Sequence, residues 1–150
     1  TTVGQSADIE MVKVLLDRSS VPFKADAQAK AADLAASGAK TLVVVLGGST
    51  KGLGAAGISA DAEIDRARAL LAEAKKLGMT VIGLHVGGEA RRGQLSDRFI
   101  AAAVPACHYV VVVAEGDKDG FIGKLCGTAI PMDKVARISG AVEPLKQAFK

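Results

Sequence analysis

Residues 41–86 decide the fold, and they read TLVVVLGGSTKGLGAAGISADAEIDRARALLAEAKKLGMTVIGLHV. This stretch begins and ends with short runs, 41–46 and 80–86, that are rich in β-branched residues and apolar at nearly every position. Strands that are hydrophobic on both faces are typical of a parallel sheet covered by helices. Residues 60–77 place apolar side chains at helical spacing and are followed by Gly78, which indicates an amphipathic helix. The stretch therefore predicts a strand–helix–strand unit with two parallel strands.

The same alternation continues on both sides of this unit. A third buried strand is predicted at 109–113, where the sequence is YVVVV. Weaker patterns predict strands ending near Val3, at 21–24 and near Ile130, and helices over about 7–18, 26–37, 94–103 and 119–127 and from about 142. Alternating strands and helices predict a three-layer α/β/α sandwich with a mainly parallel sheet of five to six strands. We expect a flavodoxin-like or Rossmann-like strand order, and in the flavodoxin-like order the first and third strands are neighbours.

Length and composition fit one globular domain over residues 1–150. The chain is 49% hydrophobic and 23% charged, a balance that excludes a disordered or low-complexity protein. Its 19 Lys and Arg against 16 Asp and Glu give a net charge of +3, which is too small for a typical nucleic-acid-binding protein but compatible with a small anionic ligand. The longest apolar runs are far shorter than a membrane span.

Four polar, Gly-rich loops follow the predicted strands, at residues 4–8, 47–57, 87–93 and 115–120. Ligands of open α/β sheets bind at the carboxyl ends of the strands, where these loops lie. The 47–57 loop has five glycines in eleven residues, together with Ser49, Thr50 and Lys51. Glycines let backbone N–H groups converge on an anion, and Lys51 adds a positive charge. This loop is a candidate oxyanion cradle, and the alternative is a long surface loop without a ligand.

Known nucleotide motifs fit the 47–57 loop poorly. Residues 52–57, GLGAAG, match GxGxxG but begin five residues after the strand, and the next strand ends in His85 where an acidic residue would bind ribose. The loop also lacks the Gly-Lys-Ser/Thr ending of a phosphate-binding P-loop. Residues 2–6, TVGQS, are faintly similar to a flavodoxin phosphate loop, but Tyr109 is the only Tyr and Trp is absent. We therefore predict no cofactor.

The 87–93 loop adds charged candidates. Arg91 and Arg92 could hold a carboxylate or a phosphate, with one arginine in the site and the other in solvent. His85 could donate to the same ligand or carry a proton, and its alternative role is structural. The residues predicted to bind the ligand are Gln5, Ser6, Gly48, Ser49, Thr50, Lys51, Gly52, His85, Gly88, Glu89, Arg91 and Arg92. For Ser6 the alternative is the N-cap of the helix that follows.

Residues 117–120, DKDG, have a local similarity to part of a calcium-binding loop but lack its remaining ligands. Turn formation and capping of the next helix explain these residues better. No other group of side chains has the spacing of a metal site, so we predict none.

The four loops together resemble those of a family of small exported bacterial Rossmann-like proteins catalogued as a domain of unknown function. The resemblance covers nearly the whole chain, and the loops at 47–58 and 85–93 are its most specific parts. It implies a signal peptide upstream of Thr1 and a mature domain in the periplasm or outside the cell. No activity and no catalytic residue follow from it.

Three function classes remain open. The first is a non-catalytic domain that captures a small anionic solute, as an accessory for uptake or sensing. The second is a small hydrolase or transferase that uses the Gly-rich loops as an oxyanion site, although Ser6, Ser49, Thr50, His85 and Glu89 form no recognised nucleophile motif. The third is a protein-interaction module. We favour the first and leave enzymatic activity open.

Two cysteines are predicted to lie at the opposite edge of the sheet from this site. Cys107 precedes a strand and Cys126 ends the helix that runs back from it. They form either a disulfide, which the export implied by the resemblance would favour, or two buried free thiols. Their placement excludes a shared metal site with His85.

Overall fold

A computed structural model describes residues 1–149 and shows a parallel sheet of five strands. The strands are β1 Thr2–Val3, β2 Thr41–Leu46, β3 Thr80–His85, β4 Tyr109–Val113 and β5 Met132–Val135. They lie in the order β1-β2-β3-β4-β5, and every neighbouring pair is parallel. The prediction of a mainly parallel sheet of five to six strands is confirmed.

Seven α-helices form within the described residues. They are α1 Ile9–Arg18, α2 Ala31–Ser37, α3 Thr50–Ala56, α4 Ala60–Lys76, α5 Gln94–Ala103, α6 Phe121–Cys126 and α7 Val142–Ala148. Short 3₁₀ turns follow β3 and β4, at Gly88–Arg91 and Ala114–Asp117. Among the helices of residues 1–149, none combines the length and hydrophobicity needed to cross a membrane.

The helices form two layers because the central strands β2, β3 and β4 bury both faces. Along β4, Val110 and Val112 pack in one hydrophobic cluster, whereas Val111 and Val113 pack in another. The first cluster includes side chains of α2 through α6, and the second includes side chains of α1 and α7. The α/β/α sandwich expected from the doubly apolar strands is therefore confirmed.

The strand expected at residues 21–24 is wrong. These residues form no strand, and the chain there passes from α1 on one face of the sheet to α2 on the other. Pro22 has no N–H group to donate to a neighbouring strand, which weakens pairing. The first and third predicted strands are nevertheless neighbours, as β1 and β2, so the order is that of a flavodoxin-like sheet without its outer strand.

The prediction of a long Gly-rich loop at 47–57 is also wrong, because most of it is helix α3. The hydroxyl of Ser49 accepts a hydrogen bond from the N–H of Gly52 at 3.0 Å and caps the helix. Gly57, with φ of +68°, ends it in the left-handed conformation. These two signals outweigh the low helix propensity of the glycines between them.

Candidate functional site

The loops after β1 and β2 meet at the carboxyl edge of the sheet, as expected. The N–H of Gly47 donates to the carbonyl of Val3 at 3.2 Å, and the N–H of Ser49 donates to the carbonyl of Gly4 at 3.0 Å. The N–H of Gly48 donates to the hydroxyl of Ser96 at 2.9 Å. Backbone donors that were predicted to face an anion therefore hold the two loops and α5 together.

Helix α3 packs tightly on the loop after β1. A Cβ atom at Gly52 would collide with the carbonyl oxygen of Gln5, so only glycine fits there. Thr50 and Lys51 lie in the first turn of this helix, and Lys51 is exposed. Ser49 caps the helix with its side chain. Of the residues predicted for the cradle, Lys51 is the one whose charged side chain points into solvent.

Gln5 and Ser6 both have internal roles. Gln5 is buried with φ of +60°, and its side-chain amide donates to Glu63 at 2.9 Å and to the carbonyl of Ala27 at 3.0 Å. The hydroxyl of Ser6 is buried and accepts from the N–H of Asp8 at 3.0 Å. The N-cap of α1 is Asp8, so the expectation that Ser6 caps this helix is corrected by two residues.

Glu63, on α4, is the centre of a buried network that sequence analysis missed. Its carboxylate is 0% exposed and accepts from the N–H of Gly4 at 2.9 Å, from Gln5 at 2.9 Å and from Arg66 at 2.7 and 2.9 Å. Arg66 also donates to the carbonyls of Thr2 and Ala29, each at 2.6 Å. Burial alone would raise the pKa of Glu63, but these hydrogen bonds hold it below its usual value.

Arg91 lies over the carboxyl ends of the strands and faces Asp8. Its Nε atom is 3.3 Å from Oδ2 of Asp8, close enough for an ion pair but not aligned as a hydrogen bond. The Asp8 side chain is 8% exposed, whereas that of Arg91 is 26% exposed. A Cβ atom at Gly87 would collide with both side chains, so glycine there makes room for the pair. Asp8, which sequence analysis did not select, is thus the partner of a predicted site residue.

His85, the last residue of β3, contacts the backbone of Arg91. It is 0% exposed, and its Nε2 atom is 2.8 Å from the carbonyl oxygen of Arg91. Because a carbonyl only accepts, Nε2 carries the proton and Nδ1 has a free lone pair. Burial lowers the pKa of His85, so the ring is neutral at pH 7. His85 therefore positions the backbone of Arg91, which supports the structural role that was its alternative reading.

Arg92 is neither a free ligand-binding residue nor a solvent-facing one. Its guanidinium pairs with Asp97 at 2.7 Å and with Asp119 at 2.9 Å and donates to the carbonyl of Gly116 at 2.8 Å. It also lies 4.9 Å from the ring centre of Phe121. The side-chain hydrogen bonds that Arg92 donates to Asp119 and Asp97 raise its pKa. Arg92 joins α5 and α6 as a structural residue.

The remaining predicted residues, Gly88 and Glu89, lie in the 3₁₀ turn after β3. Glu89 is exposed and pairs with Lys118 at 2.6 Å, and Gly88 is buried with φ of +64° beside Glu115. Asp117 is 1% exposed and accepts from the N–H groups of Ile122 and Gly123 at 2.7 and 3.1 Å, so it caps α6. Within residues 1–149, no cluster of three or more metal-ligating side chains forms.

Asp8, His85 and Arg91 form the one part of the predicted site where polar atoms are left without partners. In the described part of the chain, three buried side-chain polar atoms have no hydrogen-bond partner: Oγ1 of Thr1, Oδ2 of Asp8 and Nδ1 of His85. Two of the three belong to this cluster. Buried polar atoms are nearly always paired in folded proteins, so such atoms mark a place that a ligand or a conformational change could satisfy.

Two cavities, of about 690 and 500 Å³, lie elsewhere in the molecule. The larger one is beside β1 and the first half of β2, and the smaller one is at the amino ends of β3 and β4. None of the residues predicted to bind the ligand lines either cavity.

Cys107 and Cys126 are both buried and belong to the same hydrophobic cluster. Burial, with a smaller contribution from Cys126, raises the pKa of Cys107 to about 12. A disulfide between them stays a prediction. Titration of the unfolded protein without reductant tests it, because two reactive thiols per chain would exclude the bridge.

Comparison with known proteins identifies a family but no relative of known activity. The model of a family described as a domain of unknown function, DUF6305, matches residues 1–149. No curated protein and no solved structure matches the chain. The predicted resemblance to a family of unknown function is confirmed.

Proposed function

Since the chain belongs to the DUF6305 family, whose description names no activity, we propose its function from the site: it binds a small anionic solute at the carboxyl edge of the sheet. Arg91 is the group that would receive the anion, and Asp8 is the internal carboxylate that the anion would replace. The proposal has no catalytic step. It describes a receptor or accessory domain for uptake or sensing.

One observation carries this proposal: the Asp8 carboxylate is buried, but its pair with the partly exposed Arg91 is incompletely hydrogen-bonded. An arginine and a carboxylate can form two parallel hydrogen bonds, and that arrangement is the stable one. Here Nε of Arg91 lies 3.3 Å from Oδ2 of Asp8 without hydrogen-bond alignment. Oδ2 therefore has no hydrogen-bond partner. A pair in this geometry loses less interaction energy when a second anion displaces the carboxylate of Asp8. Arg91, with 26% of its side chain exposed, is the member that solvent already reaches.

The same geometry limits the chemistry of the solute. Arg91 only donates hydrogen bonds, so it would bind a carboxylate, sulfate or phosphate group. The orphaned oxygen of Asp8 is an acceptor, so it would bind a hydroxyl or ammonium group of the same solute. A small hydroxy acid or amino acid carries both groups. The site therefore favours such a solute over an inorganic anion.

The hydroxyl groups near the site support binding rather than catalysis. Ser6 accepts from the N–H of Asp8 and Ser49 accepts from the N–H of Gly52, so both hydroxyls have structural partners. Neither hydroxyl is hydrogen-bonded to His85, whose proton-bearing Nε2 atom donates to the carbonyl of Arg91. A nucleophile with an adjacent base is the minimum for covalent catalysis.

The test is calorimetric titration with lactate, alanine, acetate, sulfate and phosphate. We expect saturable binding that is tighter for lactate or alanine than for acetate. Arg91→Gln should weaken it by about tenfold or more. Arg98→Gln is the matched control, because this arginine of α5 is exposed and pairs with Asp61. Absence of binding by all five compounds, or equal affinity in Arg91→Gln, would refute the proposal.

Export to the periplasm or the cell exterior is a second part of the proposal. It is supported by the resemblance of the loops to those of exported proteins. Fractionation of cells that express the full-length precursor tests it. We expect the protein outside the cytoplasm, and recovery from the cytoplasm alone would contradict export.

A further inference from the structure

The cavity of about 500 Å³ lies at the amino edge of the sheet, between the second half of α4 and the end of α5. Seven of the ten residues that line it are apolar. The buried ones among them, Leu71, Val81 and Cys107, give the cavity an apolar floor, and Ala102 and Pro105 belong to its wall. Small-molecule sites in proteins have volumes of about 300–1,000 Å³, so this cavity is large enough for a small ligand.

The other three lining residues, Arg68, Lys75 and His108, all carry nitrogen donors. Arg68 and Lys75 are exposed and take part in none of the ion pairs within residues 1–149. Among the described residues, no carboxylate lines this cavity, whereas acidic and basic side chains both line the larger one. The smaller cavity therefore combines an apolar floor with positive charge that has no internal counter-ion.

Helix α4 places both cations on the stripe that faces the cavity. Arg68, Leu71, Ala72 and Lys75 have the spacing i, i+3, i+4 and i+7, which puts them on one side of the helix. The two cations are about 10 Å apart along the helix axis, with the apolar pair between them. Lys75 lies in the last turn of α4, where a cation also complements the helix dipole. Arg68 is in the middle of the helix, so the dipole does not account for it.

His108 is held in place by two hydrogen bonds to the same residue of β3. Its backbone N–H donates to the carbonyl of Val81 at 2.7 Å, and its Nδ1 accepts from the N–H of Val81 at 3.0 Å. Because Nδ1 uses its lone pair in this bond, the proton of the neutral ring is on Nε2. The side chain is exposed, so Nε2 is available to donate to a ligand. A donor that is already fixed loses little conformational entropy on binding.

We propose that this cavity binds a small organic carboxylate with an apolar body, such as a medium-chain fatty acid. The apolar body would cover Leu71 and Val81, and the carboxylate would accept hydrogen bonds from Arg68 and His108. Lys75 adds a second positive charge. Since all of these polar groups donate, the solute needs acceptors and no donor of its own.

This requirement separates the cavity from the site at the carboxyl edge. There, the orphaned oxygen of Asp8 favours a solute with a hydroxyl or an ammonium group. In the cavity, an ammonium group would be repelled by Arg68 and Lys75, and a solute as small as alanine would leave the apolar floor uncovered. The two sites therefore have opposite ligand preferences, and either can be present without the other.

The test is calorimetric titration with octanoate, acetate and octylammonium. Acetate keeps the charge of octanoate without its apolar body, and octylammonium keeps the body with the opposite charge. We expect saturable binding of octanoate that is at least about tenfold tighter than binding of either of the others. Arg68→Gln should weaken octanoate binding by about tenfold. Lys76→Gln is the matched control, because Lys76 is an exposed lysine of the same helix that does not line the cavity.

Nuclear magnetic resonance titration locates the ligand. The amide resonance of Val81, whose N–H is bonded to the ring of His108, should shift with octanoate, and Arg91→Gln should bind octanoate as the unchanged protein does. Three results would overturn the proposal: no saturable binding of octanoate, equal binding of octylammonium, or equal affinities of Arg68→Gln and Lys76→Gln. Shifts at Val43, which lines the larger cavity, or at Arg91 instead of Val81 would also contradict it. Shifts at Arg91 would leave the proposed function at the carboxyl edge standing.

Discussion

Two buried carboxylates near the carboxyl edge of the sheet, Glu63 and Asp8, each pair with an arginine, and the two pairs differ in how completely they are hydrogen-bonded. Glu63 accepts hydrogen bonds from Arg66, Gln5 and the backbone of Gly4. Asp8, in contrast, has an ion pair with Arg91 and an orphaned oxygen. Low dielectric strengthens a satisfied network and penalises an unsatisfied group. The Glu63 network therefore stabilises the fold, whereas a ligand could still donate a hydrogen bond to the unpaired oxygen of Asp8.

The largest expected effect is the loss of the Glu63 network. Glu63→Gln removes the charge that compensates buried Arg66, and breaking such a pair costs about 3–5 kcal/mol. We expect the free energy of unfolding, measured by denaturant titration, to fall by that amount. Glu143→Gln is the control, because Glu143 is exposed and pairs with Lys146 at 3.5 Å. A loss below about 1 kcal/mol in Glu63→Gln, which is typical of a surface pair, would remove the contrast with Asp8.

The fold was predictable because it depends on hydrophobic periodicity. The runs at 41–46, 80–86 and 109–113 are apolar on both faces and became β2, β3 and β4 with shifts of at most one residue. Residues 21–24 have only a weaker local pattern, and strand formation there depends on a pairing partner and on Pro22. Local pattern cannot supply that tertiary information.

The site was predictable in position but not in detail. The loops after β1, β2 and β3 do meet, because parallel strands end at the same edge. Arg91 and Arg92 are adjacent and chemically identical in the sequence, yet Arg91 faces Asp8 while Arg92 faces Asp97 and Asp119. Side-chain direction and long-range partners decide their roles. Asp8 gave no signal beyond an acidic residue at a helix start.

These two adjacent arginines provide the second prediction. Arg92→Gln removes ion pairs to Asp97 and Asp119 and the hydrogen bond to Gly116, and we expect a loss of about 2 kcal/mol in unfolding free energy. Arg91→Gln should cost about 1 kcal/mol or less, since its single pair is not aligned as a hydrogen bond. Denaturant titration of both variants checks the order. A larger loss for Arg91→Gln would identify Arg91 as the structural residue.

The third prediction concerns pH and His85. Burial holds the pKa of His85 in the folded protein below its usual value of 6.5, so the unfolded chain binds a proton more readily. Stability is therefore present above about pH 6.5 and is lost as the pH falls, by about 1.4 kcal/mol for each unit of pKa difference. His85→Gln should flatten this acid-side loss in unfolding measurements between pH 7 and 5. Because both proteins carry Thr1, the contribution of its amino group cancels in the comparison. Parallel pH profiles would show that His85 is not held neutral by burial.

The smallest expected effect on stability is that of Asp8→Asn, and it separates a structural from a functional role of this pair. Asp8 is the N-cap of α1 without a side-chain cap bond, and its Oδ2 has no partner. Loss of the charge should therefore cost about 1 kcal/mol or less, the size of a helix-dipole and surface-pair effect.

At the same time, the Asp8→Asn substitution frees Arg91 from its internal carboxylate. We expect sulfate and acetate to bind more tightly to Asp8→Asn than to the unchanged protein, while alanine, which needs Asp8 to accept from its ammonium group, binds less tightly. Calorimetry of the three ligands measures this reversal. A large loss of stability with no change in anion affinity would place Asp8 with Glu63, as a second structural carboxylate.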